Sequence, residues 1–201
     1  MHESSKSIFG KIRDSRYATR YIVGDGIDIG AGPDSLAQYY ELFPLMKSCR
    51  SWDMPDGDAE LMDSIKDNTF DFVHSSHCLE HMRNPHIALD NWLRILKPGG
   101  YIICLIPDED LYEQGQFPST FNSDHKHTFT IHKRKSWSKH SINLFNLLSN
   151  TRYPIEIKKI ELLDATFRYD FNRFFQKSRF DQTLTPIGEC SIEFVIKKLL
   201  A

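Results

Sequence analysis

Residues Tyr101 to Ile106 form an unbroken apolar run closed by Pro107. A strand with no polar face must lie in the middle of a sheet that is covered on both sides. The segment before it, Asn84 to Leu96, carries Ile87, Leu89, Trp92, Leu93, Ile95 and Leu96 at helical spacing, with Pro85 in its first turn and Lys97-Pro98-Gly99-Gly100 as its stop. Upstream, Ile27-Asp28-Ile29, Cys49 to Asp53 and Phe70 to His74 predict short strands. Ser35 to Met46 predicts a helix, and Ala59 to Ile65 a helical turn or two. Such alternation specifies an α/β fold, a mostly parallel sheet with crossover helices.

The rest of the chain has a different rhythm. Residues 1–20 predict a leading helix through Ile8, Ile12 and Tyr17. Residues 108–135 are polar and rich in His and aromatics, and Ser138 to Leu148 predicts a helix. Ile155 to Leu163 and Ser191 to Leu199 alternate as two long strands. Between them lie Phe167, Tyr169, Phe171, Phe174, Phe175 and Phe180, an aromatic load suited to covering a core edge or packing on a second copy. Arg168, Arg173 and Arg179 among them leave an anionic substrate open.

Charge and cysteine usage narrow the function. With 25 Lys+Arg against 27 Asp+Glu, the formal net charge of -2 argues against gripping nucleic acid by bulk charge. No apolar run approaches the roughly 18 residues of a membrane span. Met1 to Gly10 has no apolar signal-peptide core. Cys49, Cys78, Cys104 and Cys190 are scattered without a C-x-x-C pair, so reduced thiols in a cytoplasmic protein, monomer or homodimer, are expected.

The sharpest local signal is Gly26-Ile27-Asp28-Ile29-Gly30-Ala31-Gly32-Pro33, a strand running into two glycines where a ligand can approach the backbone. Ser35 stands where a dinucleotide fingerprint wants its third glycine, and Asp28 suits a positive amino group better than a pyrophosphate. This segment resembles the first motif of the class I S-adenosylmethionine-dependent methyltransferases. Asp53 matches the family's ribose-binding acid, and Gly57-Asp58-Ala59 its adenine-side motif. Phe70 to His81 is similar to the fourth-strand motif of the small-molecule branch, and Arg94 to Gly100 to the signature after it. The resemblance covers residues 26–107. It implies a Rossmann-like sheet with helices on both faces and the last strand antiparallel. S-adenosylmethionine would then be held by Asp28, Gly30, Ala31, Gly32, Asp53, Asp58, Ala59, Ser75, His77 and His81. Only four residues separate Asp53 from Asp58. A crossover needs about a dozen or more, so the third-strand edge is expected to be truncated.

The whole chain is expected to form one domain: a leading helix (1–20), a cofactor half (21–107), an acceptor lid (108–135) and a closing helix and strand pair (136–201). Ligands of open α/β sheets sit past the carboxyl ends of the strands. Within the lid, Phe121 to Phe129 places a carboxylate and two imidazoles together. His125 is the expected general base, with Asp124 or Glu113 to orient it, and Tyr112 is a further expected catalytic residue. Glu113, His127 and Asp108 are expected on the acceptor. Asp108 to Asp110 also fits a solvated acidic turn, and His81 a core histidine. Asp124, His125 and His127 are the candidate ligands for a divalent ion, although no metal is expected.

Asp110-Leu111-Tyr112-Glu113-Gln114, Phe117-Pro118-Ser119, Phe121-Asn122 and Asp124-His125-Lys126 resemble methyltransferases of bacterial polysaccharide or capsule gene clusters. That likeness implies a small-molecule acceptor, a sugar or a nucleotide-linked or phosphorylated intermediate, methylated on oxygen rather than nitrogen. No N/D-P-P-Y tetrapeptide follows the fourth-strand motif, which disfavours amino methylation of DNA bases. A nicotinamide-dependent oxidoreductase and a silent cofactor-binding partner subunit are the alternatives.

Overall fold

The computed structural model describes residues 3–170 and 179–200. Phe171, Arg173, Phe174 and Phe175 therefore lie outside the described residues. The strands are β1 (Gly24–Ile29), β2 (Met46–Trp52), β3 (Phe70–Ser76), β4 (Leu96–Pro107), β5 (Thr128–Thr130), β6 (Ser141–Asn143), β7 (Ile155–Leu163) and β8 (Ser191–Lys198), and the α-helices α1 (Glu3–Arg13), α2 (Pro85–Ile95) and α3 (Leu144–Ser149). The main sheet has the order β2-β1-β3-β4-β8-β7. Strands β2, β1, β3 and β4 are parallel, and β8 runs antiparallel to both β4 and β7. Among the described residues nothing pairs outside β2, as the short Asp53–Asp58 spacing requires. No helix among the described residues is long and apolar enough to cross a membrane.

Strand alternation divides the core into two layers. Ile27, Ile29, Val73, Ile102, Cys104, Ile192 and Phe194 face α2 and α3, where Leu89, Trp92, Leu93, Leu144 and Leu148 cover them. Phe72, Ile103 and Val195 face the amino-terminal segments through Ile8, Tyr17, Tyr21, Leu36 and Phe43. On this second face Glu193 of β8 is buried against Lys11 of α1 at 2.9 Å and Lys159 of β7 at 2.8 Å, and it also accepts from the Tyr17 hydroxyl. All four cysteines are unpaired.

Three expected helices differ. Ser35 to Met46 holds only a 3-10 segment, Leu36–Leu42, kinked at Tyr39. Pro44 is the reason: it disfavours helical backbone at the residue before it and would clash inside a longer helix. Ala59 to Ile65 forms turns instead of a helix. Side chains of α2 meet its carbonyls: Trp92 donates to Ala59, Asn91 to Glu60, and Arg94 to Leu61, Met62 and Ile65. Those carbonyls are thus satisfied without a helix. The expected helix from Ser138 is strand β6 in its first half. Asn143 then caps α3 by accepting from the Asn146 amide.

Candidate active site

The ends of β1, β2 and β3 meet at the glycine turn. Gly30 and Gly32 have φ of 74° and 51°, the left-handed region that glycine enters without strain. The Gly30 and Ala31 amides donate to the Trp52 carbonyl, and the Gly32 amide to the Asp53 carboxylate at 3.0 Å. A Cβ on Gly30 would stand 2.6 Å from both Cβ and Sγ of Cys78. Gly30→Ala is therefore expected to weaken binding of demethylated cofactor at least about tenfold, with a stability loss of about 1–3 kcal/mol. Calorimetry and thermal melts check it; wild-type affinity would remove the turn from the site.

Two adjoining cavities open on this turn and share Gly30, His77 and His81 in their walls. The larger, about 580 Å³, is lined by Asp53, Met54, Gly57, Asp58, Ala59, Cys78, Met82 and Asp124. The smaller, about 180 Å³, is lined by Asp28, Ala31, Gly32, Glu80, Asn122 and His125, with Glu3 and Ser4 of α1 closing one side. The expected cofactor residues thus gather on one cleft, with one exception. Ser75 is fully buried and donates to the Ile29 carbonyl at 2.9 Å, a clip between β3 and β1 that lines neither cavity.

The acids of the cleft are partly committed to the fold. Asp28 is 1 % exposed; its carboxylate holds the Leu36 amide at 2.7 Å and His74 Nδ1 at 2.6 Å. Asp53 accepts from the Gly32 and Met54 amides. Asp58 accepts from the Glu60 and Leu61 amides and pairs with Arg83 at 2.8 Å. Each carboxylate oxygen has two lone pairs, so one protein donor leaves room for a ligand.

At the smaller cavity, His125 is buried with Nδ1 2.7 Å from Glu113 Oε1. Glu113, not Asp124, is its orienting carboxylate. Asp124 is exposed and meets His81 Nδ1 at 2.9 Å. The Tyr112 ring lies 5.0 Å from the His125 ring, but the residue is buried behind it and lines neither cavity, and burial pushes its phenol up. It packs the imidazole in place and does not reach the cleft. His127 Nε2 turns away to the Arg83 carbonyl, so Asp124, His125 and His127 do not converge on an ion. Asp108 accepts from the Asp110 and Leu111 amides, a cap remote from the cleft, and burial pushes its carboxyl up to about 6. The neighbouring Glu109 is also buried and gathers Thr128, Lys133, Ser136 and Ser141. Asp108 to Asp110 is thus a structural clamp with only Asp110 exposed.

Glu80 was not singled out by sequence. It is fully buried, with His77 Nδ1, His81 Nε2 and His125 Nε2 at 3.6, 3.9 and 3.8 Å from Oε1. Burial raises its carboxyl above the usual range. His77 sits at φ 52° and donates to or accepts from Ser191 Oγ at 2.8 Å. Burial, with His125, Lys6 and His81 nearby, pushes its imidazole down to about 3. The spacing His77-x-x-Glu80-His81 was the available signal.

Residues 13–144 match the family described as a methyltransferase domain. A 58-residue stretch is 38 % identical to an uncharacterized methyltransferase of Schizosaccharomyces pombe; it spans 29 % of this chain and only 20 % of that protein's length. In three dimensions the chain is similar to an S-adenosylmethionine-dependent methyltransferase from Mesorhizobium loti (TM-score 0.57, 13 % identity, 94 % of this chain and 100 % of that one). It is also similar to a SAM-dependent methyltransferase from Archaeoglobus fulgidus (TM-score 0.55, 16 % identity, 95 % and 94 % covered). The sheet order and the antiparallel β8 agree with that Rossmann-like fold. Ser35 caps a kinked 3-10 segment, so the turn lacks the α-helix amino end on which a dinucleotide's pyrophosphate would rest.

Proposed function

This chain belongs to the methyltransferase-domain family, and from that premise we propose that it methylates an oxygen of a small polar acceptor. The acceptor class we favour is a sugar, or a nucleotide-linked or phosphorylated intermediate of surface polysaccharide assembly. The cofactor is S-adenosylmethionine, and the residues of the cleft fit it. The larger cavity, about 580 Å³, falls in the range of about 300–1,000 Å³ usual for small-molecule sites. Asp53 offers carboxylate oxygens for ribose hydroxyls. Met54, Ala59 and Met82 give apolar walls for a flat base, and Asp58 lies among them for its exocyclic amine. At Gly32 a Cβ would meet nothing within 4 Å, so the backbone there leaves open space beside Asp28 for the amino-acid tail.

The bound cofactor supplies a sulfonium-activated methyl group; positioning and proton handling fall to the chain. A hydroxyl acceptor needs its proton removed, because its pKa is far above neutral. The observation that carries the oxygen reading is the buried His125–Glu113 pair, 2.7 Å apart, on the wall of the smaller cavity. Glu113 fixes the proton on Nδ1, so Nε2 keeps its lone pair toward the cavity and takes the acceptor's proton. Asn122 beside it offers an amide to hydrogen-bond a polyol. Residues 108–135 act as the acceptor-side wall, and the buried thiols suit a reducing, cytoplasmic setting.

The test is a panel of nucleotide-linked and free sugars with S-adenosylmethionine, read by release of demethylated cofactor and by NMR of the product. An O-methyl ether is expected. Products methylated only on nitrogen would overturn the oxygen reading. Asp53→Ala is expected to raise the Kd for demethylated cofactor about tenfold or more. An unchanged Kd by calorimetry would move the ribose elsewhere.

A further inference from the structure

We propose that Glu80, His81 and His125 form a site for one divalent transition-metal ion at the inner end of the smaller cavity. Neither oxygen of the Glu80 carboxylate has a hydrogen-bond partner, although the residue is fully buried. A bare carboxylate in that position is costly unless a cation meets it. Nε2 of His81 and of His125 stand 3.9 and 3.8 Å from Glu80 Oε1, beyond hydrogen-bond length. Their other ring nitrogens are committed: Nδ1 of His81 to Asp124 at 2.9 Å, and Nδ1 of His125 to Glu113 at 2.7 Å. A carboxylate on Nδ1 places the proton there and leaves the Nε2 lone pair free, the arrangement found behind metal-bound histidines. Two imidazole nitrogens therefore stand within 4 Å of a carboxylate oxygen that no hydrogen bond satisfies.

The geometry is close to a ligand set. The three donor atoms lie within 4.8 Å of one another. Ligands about 2.1 Å from a tetrahedral ion sit about 3.4 Å apart, so the two carboxylate–imidazole gaps of 3.9 and 3.8 Å close by about half an ångström and the widest, at most 4.8 Å, by rotamer adjustment of about 1.4 Å. The frame is tied together: the Glu80 carbonyl accepts the Lys126 amide at 2.9 Å and the His127 amide at 3.3 Å, which fixes the His125 segment to the turn carrying Glu80 and His81. His77 Nδ1, also without a hydrogen bond and 3.6 Å from the same Glu80 oxygen, stands ready as a further donor. Two imidazoles and one carboxylate suit zinc, iron, cobalt or nickel better than magnesium or calcium, which prefer oxygen. All three ligands line the smaller cavity, so the remaining coordination positions open to it.

The consequence for catalysis rests on the oxygen acceptor proposed above and changes the part His125 plays: with its Nε2 lone pair on the ion it no longer takes the proton itself. A hydroxyl bound to the ion ionises more readily and releases its proton to water; His125 then acts through the ion it holds. The site is tested on the whole, metal-stripped protein by titrating Co²⁺ and following its visible absorption, then displacing it with Zn²⁺. One equivalent should bind saturably at micromolar concentration. Affinity should fall at least tenfold in Glu80→Gln and in His81→Ala, the latter a partly exposed side chain whose loss the fold tolerates, and stay unchanged in His86→Ala. Absence of saturable Co²⁺ binding, or equal affinity in all variants, would overturn the site. The two readings fail separately. Oxygen methylation at full rate after exhaustive chelation overturns the ion's part in catalysis and leaves His125 as the base. Tight binding with no oxygen acceptor overturns the acceptor assignment alone.

Discussion

His125→Ala is expected to lower turnover by about 10²–10⁴-fold, the usual contribution of a positioned proton acceptor, with affinity for demethylated cofactor held within about twofold. The split follows from where the side chain stands. His125 lines the smaller cavity and not the larger one, where Asp53, Met54 and Ala59 would hold the nucleoside. Glu113→Gln keeps an acceptor oxygen for Nδ1 and removes the charge, so a smaller loss, about tenfold, is expected. Both variants need a fold check, because Glu113 is buried and its backbone carbonyl also accepts from Arg179. Steady-state kinetics with calorimetry in parallel decide it. Loss of cofactor affinity in step with turnover would place His125 in the nucleoside site.

The second large effect concerns stability. Lys11→Met is expected to cost about 1.5–3 kcal/mol, because it leaves the buried Glu193 carboxylate with one cation in place of two. For a chain of this size that is a fall in Tm of about 3–12 °C. Burial alone would push the Glu193 carboxyl up, but Lys11, Lys159 and the hydrogen bonds from Lys159 and Tyr17 together bring it down from 4.5 to about 2. A carboxyl depressed in the folded state stabilises fully above its unfolded value, and that contribution is lost as the pH falls through its folded value. The gap between wild type and Lys11→Met should therefore be widest above about pH 5 and narrow toward pH 2. Melts at pH 3, 5 and 7 measure it; a gap that is constant with pH would assign the loss to packing.

The covered central strand and the missing edge were legible because both rest on local constraints. The apolar run ending at Pro107 demanded a covered strand, and Asp53 and Asp58 were too close for another crossover. The helices failed where tertiary contacts satisfied the backbone instead. The guanidinium of Arg94 serves the carbonyls of Leu61, Met62 and Ile65, and no periodicity announces that. Pro44 and Asn143 were readable punctuation that outweighs apolar spacing. In the site, the glycine turn and the presence of His125 on the cleft could be read from sequence. Its partner could not, since Asp124 and Glu113 compete on equal terms until the loop folds back. Ser75, Asp108 and Tyr112 had the right chemistry at the right strand ends, but their side chains point into the scaffold. Glu80 escaped notice because a glutamate inside an amphipathic string ordinarily faces water.

The five-residue bend Asp53 to Gly57, stitched by the Asp53 and Asp56 carboxylates onto its own amides, has a consequence for evolution. Asp53 opens this bend and Asp58 follows it directly, so the sugar and base contacts proposed for them ride on one bracket. An insertion there would carry both contacts out of alignment in the same step. On the proposed binding mode, selection can vary the acceptor wall while the nucleoside grip is inherited whole or lost whole.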